Sequence, residues 1–197
     1  MGNVPRPLEE INRDFSFFLT KEEIKESIDF ADARNRATLG SGAKSQVKPR
    51  RGKKGPINDL TVNIDGAIGE VAFSKMTGIP RDKTTHVRSN QRGTDLGDFT
   101  LPDGRVVNVK ASKCEFPRLL VKASTQCICD IYCLFEYRLE DGRVFFRGLY
   151  DAQLTHQRPA RPFPTPYIIN HVVEGHELMS LRQLDAWLQR EETIVIP

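Results

Sequence analysis

Asp98, Asn108 and Lys110 have types and spacing that could do chemistry. All three lie in one stretch, Asp98–Ser112, which reads Asp-Phe-Thr-Leu-Pro-Asp-Gly-Arg-Val-Val-Asn-Val-Lys-Ala-Ser. The stretch predicts two short strands around the turn Pro102-Asp103-Gly104. In the second strand, Val107 and Val109 point to one face and Asn108 and Lys110 to the other. Magnesium takes hard oxygen ligands, typically one or two carboxylates with several waters retained. Asp98 can supply a carboxylate, Asn108 an amide oxygen and Val109 its backbone carbonyl. Glu70 can add a second carboxylate if its helix lies across the sheet. Lys110 could orient or deprotonate a water, or stabilise charge on a phosphate. Water activated by such a cation is a suitable nucleophile for a phosphodiester, and positive charge stabilises the extra negative charge of the transition state. Each residue also has a plain structural role open to it. Glu70 could pair with Lys75 or Lys113, Asp98 could cap a turn, and Lys110 could reach out from a sheet edge.

The surrounding elements must hold these groups in place. Thr20 followed by Glu23 resembles a capping box and predicts a helix from Lys21 to about Thr38, with Ile24, Ile28 and Ala31 inward and Phe30 beside them. Residues 1–20 read as a short docking segment. A second helix runs from Asn58 or Asp59 to about Met76, with Leu60, Ile64, Ala67, Ile68, Val71 and Ala72 as its apolar stripe. Gly66 and Gly69 weaken that helix and suggest close backbone packing. Downstream, strands are expected at 128–137 and 143–149, a helical turn at 151–154, strands at 167–173 and 177–179, and a closing helix over 181–189 capped by Ser180. The plan is α+β: a central mixed sheet flanked by helices. The expected division is an N-terminal helix with a basic arm over residues 1–56 and a core domain over 57–197.

Charge is uneven along the chain. The formal net charge of the 197 residues is only +3, yet Lys44, Lys48, Arg50, Arg51, Lys53 and Lys54 crowd into residues 44–54 with no acid among them. Such a block suits a phosphate backbone, because phosphate contacts need charge and little geometry, although a solvated linker has the same composition. Arg92 and Ser112 could touch the same ligand, and Asp95 is a second acid close to Asp98. No apolar run of about 18 residues exists, so no membrane span is expected. The polar start of the chain has no signal-type stretch, so a cytoplasmic protein is expected. There the four cysteines, Cys114, Cys127, Cys129 and Cys133, should be thiols. Their CxC spacing is unlike common structural zinc sites. Cys127, Cys129 and Cys133 share one parity and are expected on one side of a strand.

Taken in order, several motifs resemble those of the PD-(D/E)xK nuclease superfamily, and within it the small nuclease-like proteins of bacteriophages. The motifs are Gly69-Glu70 on a helix, Asp98, Val107-Asn108-Val109-Lys110-Ala111-Ser112, Cys129-Asp130-Ile131-Tyr132 and Arg147-Gly148-Leu149-Tyr150. The match covers roughly residues 57–190. It implies a restriction-endonuclease-like fold and a Mg2+- or Mn2+-dependent DNA nuclease, possible as a homodimer, in the host cytoplasm if phage-encoded. It also implies that Asp98 is the main metal ligand, Glu70 the helix acid and Lys110 the catalytic lysine. Asn108 departs from the pattern, standing where the family has Asp or Glu. The alternative it leaves open is a weakened or inactive nuclease-fold protein that only binds DNA.

Overall fold

The computed structural model describes residues 6–40, 59–81, 83 and 97–194. The basic block at 44–54, Arg92 and Asp95 lie outside the described residues. In chain order the elements are β1 (Ser16–Phe18), α1 (Lys21–Gly40), α2 (Asp59–Thr77), β2 (Phe99–Thr100), β3 (Val106–Ser112), β4 (Leu119–Lys122), β5 (Ile131–Tyr137) and β6 (Arg143–Asp151). They continue with α3 (Ala152–Gln157), β7 (Arg161–Pro162), β8 (Ile169–Val173) and α4 (Leu181–Ile194). The fold is α+β. A five-stranded mixed sheet has the order β1-β6-β5-β3-β2, and a three-stranded sheet has the order β4-β8-β7. Only the β3–β5 pair is parallel; the other pairs are antiparallel.

The parallel pair explains the middle of the fold. β5 lies between β3 and β6, and all seven of its residues are buried, as a strand covered on both faces requires. On one face, Val107, Val109, Cys133 and Phe135 join Ile68, Val71, Ala72 and Phe73 of α2 and Leu181 and Leu184 of α4 in the main core. On the other face, Tyr132 and Leu134 join Leu119 and Val121 of β4 and Val173 of β8 in a second cluster. The two sheets therefore cover each other over part of that face.

Local chemistry sets the helix and turn positions. Glu23 N–H donates to Thr20 Oγ1 at 3.2 Å, and Thr20 N–H donates to Glu23 Oε2 at 2.7 Å, so the expected capping box starts α1. Asp151 Oδ1 accepts from Leu154 N–H at 2.8 Å and starts α3. No described helix is long and apolar enough to cross a membrane.

Four expectations are corrected. Ser16–Phe18 is not a separate docking segment: it is an edge strand paired with β6, and Leu8, Ile11 and Phe17 enter the main core. Ile28 is 37% exposed while Ser27 is fully buried; Ser27 Oγ donates to the Glu23 carbonyl at 2.8 Å, which satisfies its hydroxyl inside the helix. The cysteines do not share a face. β5 begins only at Ile131, so Cys127 is exposed, Cys129 lies in the second cluster and Cys133 in the main core. All four are free thiols. Residues 175–177 form a single 3-10 turn, closed by Glu174 and Glu177, in place of a strand; only Met179 bridges back, to Leu149.

Candidate functional site

The site is built on the β2-side edge of β3. Gly97 holds φ +77°, and a Cβ there would come within 2.1 Å of Val106 Cγ1, so only glycine turns the chain into β2 at this point. That turn delivers Asp98. Its N–H donates to the Val107 carbonyl at 2.8 Å, and its Oδ2 accepts from Val109 N–H at 2.6 Å. β2 pairs only with Val106 and Val107. Beyond Val107, β3 has no strand neighbour on this side among the described residues, and the Asp98 carboxylate takes the next outward N–H. N–H and C=O groups alternate between the two edges of a strand, so the Val109 carbonyl emerges on this same edge. The Asp98 charge is felt in the core behind it: burial pushes the Cys133 thiol well up, and Asp98 adds to the shift.

Side-chain alternation divides the remaining groups. α2 seats on β3 at Gly69, where a Cβ would lie 3.0 Å from Val109 Cγ1 and 3.1 Å from Ala111 Cβ. The Val109 side chain thus faces α2, and Asn108, Lys110 and Ser112 project from the opposite face. Glu70 follows the contact glycine on the α2 side. It is buried, and its carboxylate pairs with Arg34 of α1 at 2.9 Å. Asp98 stands at the edge between the two faces.

On the second face, Asn108 is 2% exposed, and its Oδ1 is buried with no hydrogen-bond partner among the described residues. Its cross-strand neighbour is Tyr132. Lys110 Nζ lies 5.9 Å from the centroid of that ring. Tyr132 Oη and His156 Nε2 are 3.0 Å apart, and the His156 and His171 rings are 5.2 Å apart. His171 Nδ1 lies 2.7 Å from the Arg158 carbonyl and so donates to it. Burial, with His171 adding, lowers the His156 pKa below its ordinary value. Ser112 Oγ accepts from Cys114 N–H at 3.1 Å.

The structure therefore joins Asp98 directly to Val109, sets Asn108 and Lys110 on one face, and ties Glu70 to Arg34. Among the described residues no group of three or more His, Cys, Asp and Glu side chains has the arrangement to hold a metal. The oxygens present are one carboxylate, one main-chain carbonyl and one amide. A buried acceptor without a donor is costly to leave unpaired, and a hard cation that keeps most of its waters satisfies such a set. These oxygen types are ones that magnesium or manganese accepts, and they carry little negative charge.

Arg34 and the Tyr132–His156–His171 chain are partners that sequence reasoning missed. They come from elements far apart in the chain, and no local spacing marks them. No family model matches the chain, and neither does any curated protein or solved structure.

Proposed function

We propose that the chain is a divalent-cation-dependent DNA nuclease of the PD-(D/E)xK kind, with a restriction-endonuclease-like core and a phage origin. One observation carries the reading: the Asp98 carboxylate is seated on Val109 N–H, and Asn108, the residue before it on β3, holds a buried side-chain oxygen with no hydrogen-bond partner among the described residues. Asp98, Asn108 and the Val109 carbonyl would hold Mg2+ or Mn2+, with Glu70 reinforcing the negative field from the helix. The cation would supply an activated water and neutralise phosphate charge. Lys110, on the same face as Asn108, would hold a phosphate oxygen and stabilise the charge that builds on it. Lys44, Lys48, Arg50, Arg51, Lys53, Lys54, Arg92 and Ser112 would contact the DNA backbone. A site of this size cuts one strand, so duplex cleavage calls for a homodimer or two successive cuts. The host cytoplasm is the proposed place of action.

A specific observation favours the second reading, a catalytically weakened nuclease-fold protein that binds DNA. Asn108 is neutral, and the Glu70 carboxylate is paired with Arg34, so the proposed ligand set offers a cation little negative charge. Cleavage of single-stranded, duplex and branched DNA in Mg2+ or Mn2+ separates the readings. The nuclease reading expects cutting that Lys110→Ala abolishes and Asn108→Asp enhances. Intact DNA with the wild type, and cutting only with Asn108→Asp, establishes the weakened site. Intact DNA with both overturns the enzyme reading.

A further inference from the structure

The second sheet covers only part of the face that carries Asn108, Lys110 and Ser112, over Tyr132, Leu134 and Tyr150. Further along the strands, Ser112, Glu136, Phe145 and Ser16 pair in a straight row across β3, β5, β6 and β1. Rings and guanidinium groups alternate along this region: Phe116, Arg147, Phe145, Arg143, Phe18. Arg147 Cζ lies 5.0 Å from the Phe116 centroid and 5.1 Å from that of Phe145. Arg143 Cζ lies 4.8 Å from the Phe145 centroid and 5.9 Å from that of Phe18. Both terminal rings face solvent, Phe116 at 74% and Phe18 at 57%.

The Phe116 end is held outward by the structure beneath it. Phe116 has φ +48°, a left-handed conformation that a bulky residue rarely adopts. Its N–H donates to Glu136 Oε2 at 3.0 Å, and Glu136 is itself buried and bonded by Arg147 Nε at 3.0 Å. Glu136 pins the backbone that presents the ring, and together with Asp14, whose Oδ1 lies 2.6 Å from Arg147 Nη1, it neutralises Arg147. Arg143 has no carboxylate within ion-pair distance among the described residues; its guanidinium reaches Ser16 Oγ at 3.3 Å and the rings.

We propose that this sheet face, left uncovered by the described elements, docks single-stranded DNA. Its bases stack on Phe116 and Phe18, a phosphate sits on Arg143, and the strand leads across the face towards Ser112 and Lys110. Exposed ring faces beside arginines are what unpaired bases and their phosphates recognise. In a duplex the base faces are already stacked on one another. Continuity supports the route, because Phe145 is two strand spacings, roughly 10 Å, from Ser112. The direction of the strand rests on the nuclease reading; the docking itself does not.

The test is fluorescence anisotropy of the full chain with a labelled oligothymidylate of about 12 nucleotides, without added metal, beside a blunt duplex of the same length. The oligothymidylate is expected to bind more tightly than the duplex. Phe116→Ala should weaken it roughly 5- to 150-fold, as loss of one stacked base does, and Phe116→Tyr should restore it. Arg143→Gln should lower the slope of log affinity against log salt by about 0.7. Equal affinity of Phe116→Ala and wild type overturns the proposal, as does tighter binding of the duplex. Self-association of the wild type that Phe116→Ala abolishes also overturns it, and makes the face an interface between copies. Stacking without any cleavage in Mg2+ removes the nuclease reading and leaves the docking face. Cleavage with binding unchanged in Phe116→Ala does the reverse.

Discussion

Replacing each glycine of α2 with alanine tests the close approach that sets the site. Nothing lies within 4 Å of a Cβ built on Gly66. Gly66→Ala therefore gains the full helix-propensity difference, about 1 kcal/mol. For a chain of this length that raises the melting temperature by roughly 2–4 °C. At Gly69 the same methyl meets Val109 Cγ1 at 3.0 Å and Ala111 Cβ at 3.1 Å. Val109 is buried and Ala111 packs against the same core, so α2 or β3 must give by a few tenths of an ångström. Overpacking of this kind costs about 1–3 kcal/mol, which cancels or exceeds the propensity gain. The expected difference between the two variants is thus about 1–3 kcal/mol in favour of Gly66→Ala. Urea unfolding monitored by circular dichroism measures it, with an unchanged m-value showing that the transition is comparable. Equal stabilisation by both variants would refute the seating of α2 on β3, and destabilisation by Gly66→Ala would refute the open environment at that position.

Two further outcomes follow from the second face of the sheet. The lowered His156 pKa makes its protonation unfavourable to the fold, so its contribution is complete above the ordinary value of 6.5 and is lost as the pH falls towards the lowered value. The urea midpoint should drop over that window, and His156→Gln should flatten the drop; an identical pH profile in the variant would count against it. Asn108→Leu removes a buried acceptor that has no partner among the described residues, so it should raise unfolding stability by about 1 kcal/mol while abolishing any stabilisation by added Mg2+ in a thermal shift assay. A loss of stability would show that the amide oxygen is satisfied.

The helices were legible because their signals are local. Thr20 and Glu23 mark the start of α1, the apolar spacing of Ile64, Ala67, Ile68 and Val71 marks α2, and Ser180 precedes α4. The hairpin was legible for the same reason, since Pro102-Asp103-Gly104 admits little but a turn. β1 was not, because three residues carry no period and their strand identity comes wholly from pairing with β6. Parity placed the cysteines wrongly because the strand starts four residues after Cys127. Of the candidate site, the β3 residues and Asp98 were readable as one hairpin. That α2 lies behind Val109 while Asn108 faces the other way follows from alternation. That Arg34 pairs with Glu70, that the Tyr132 ring lies near Lys110, and that His156 meets Tyr132 depend on contacts between distant segments. The Phe–Arg ladder was hidden likewise, being assembled from three separate stretches.

The bond from Val109 N–H to Asp98 has a bearing on how any loss of activity is interpreted. A strand edge with free N–H groups is a template for another chain, and proteins blunt such edges with charge. By occupying that N–H, Asp98 would also blunt this edge of β3 against pairing with another chain. Asp98→Ala would remove a proposed ligand and unmask the edge together, so an inactive variant could simply be aggregated. Asp98→Asn keeps an acceptor oxygen for Val109 while discarding the charge. Comparing the two by light scattering separates a missing carboxylate from an unguarded strand.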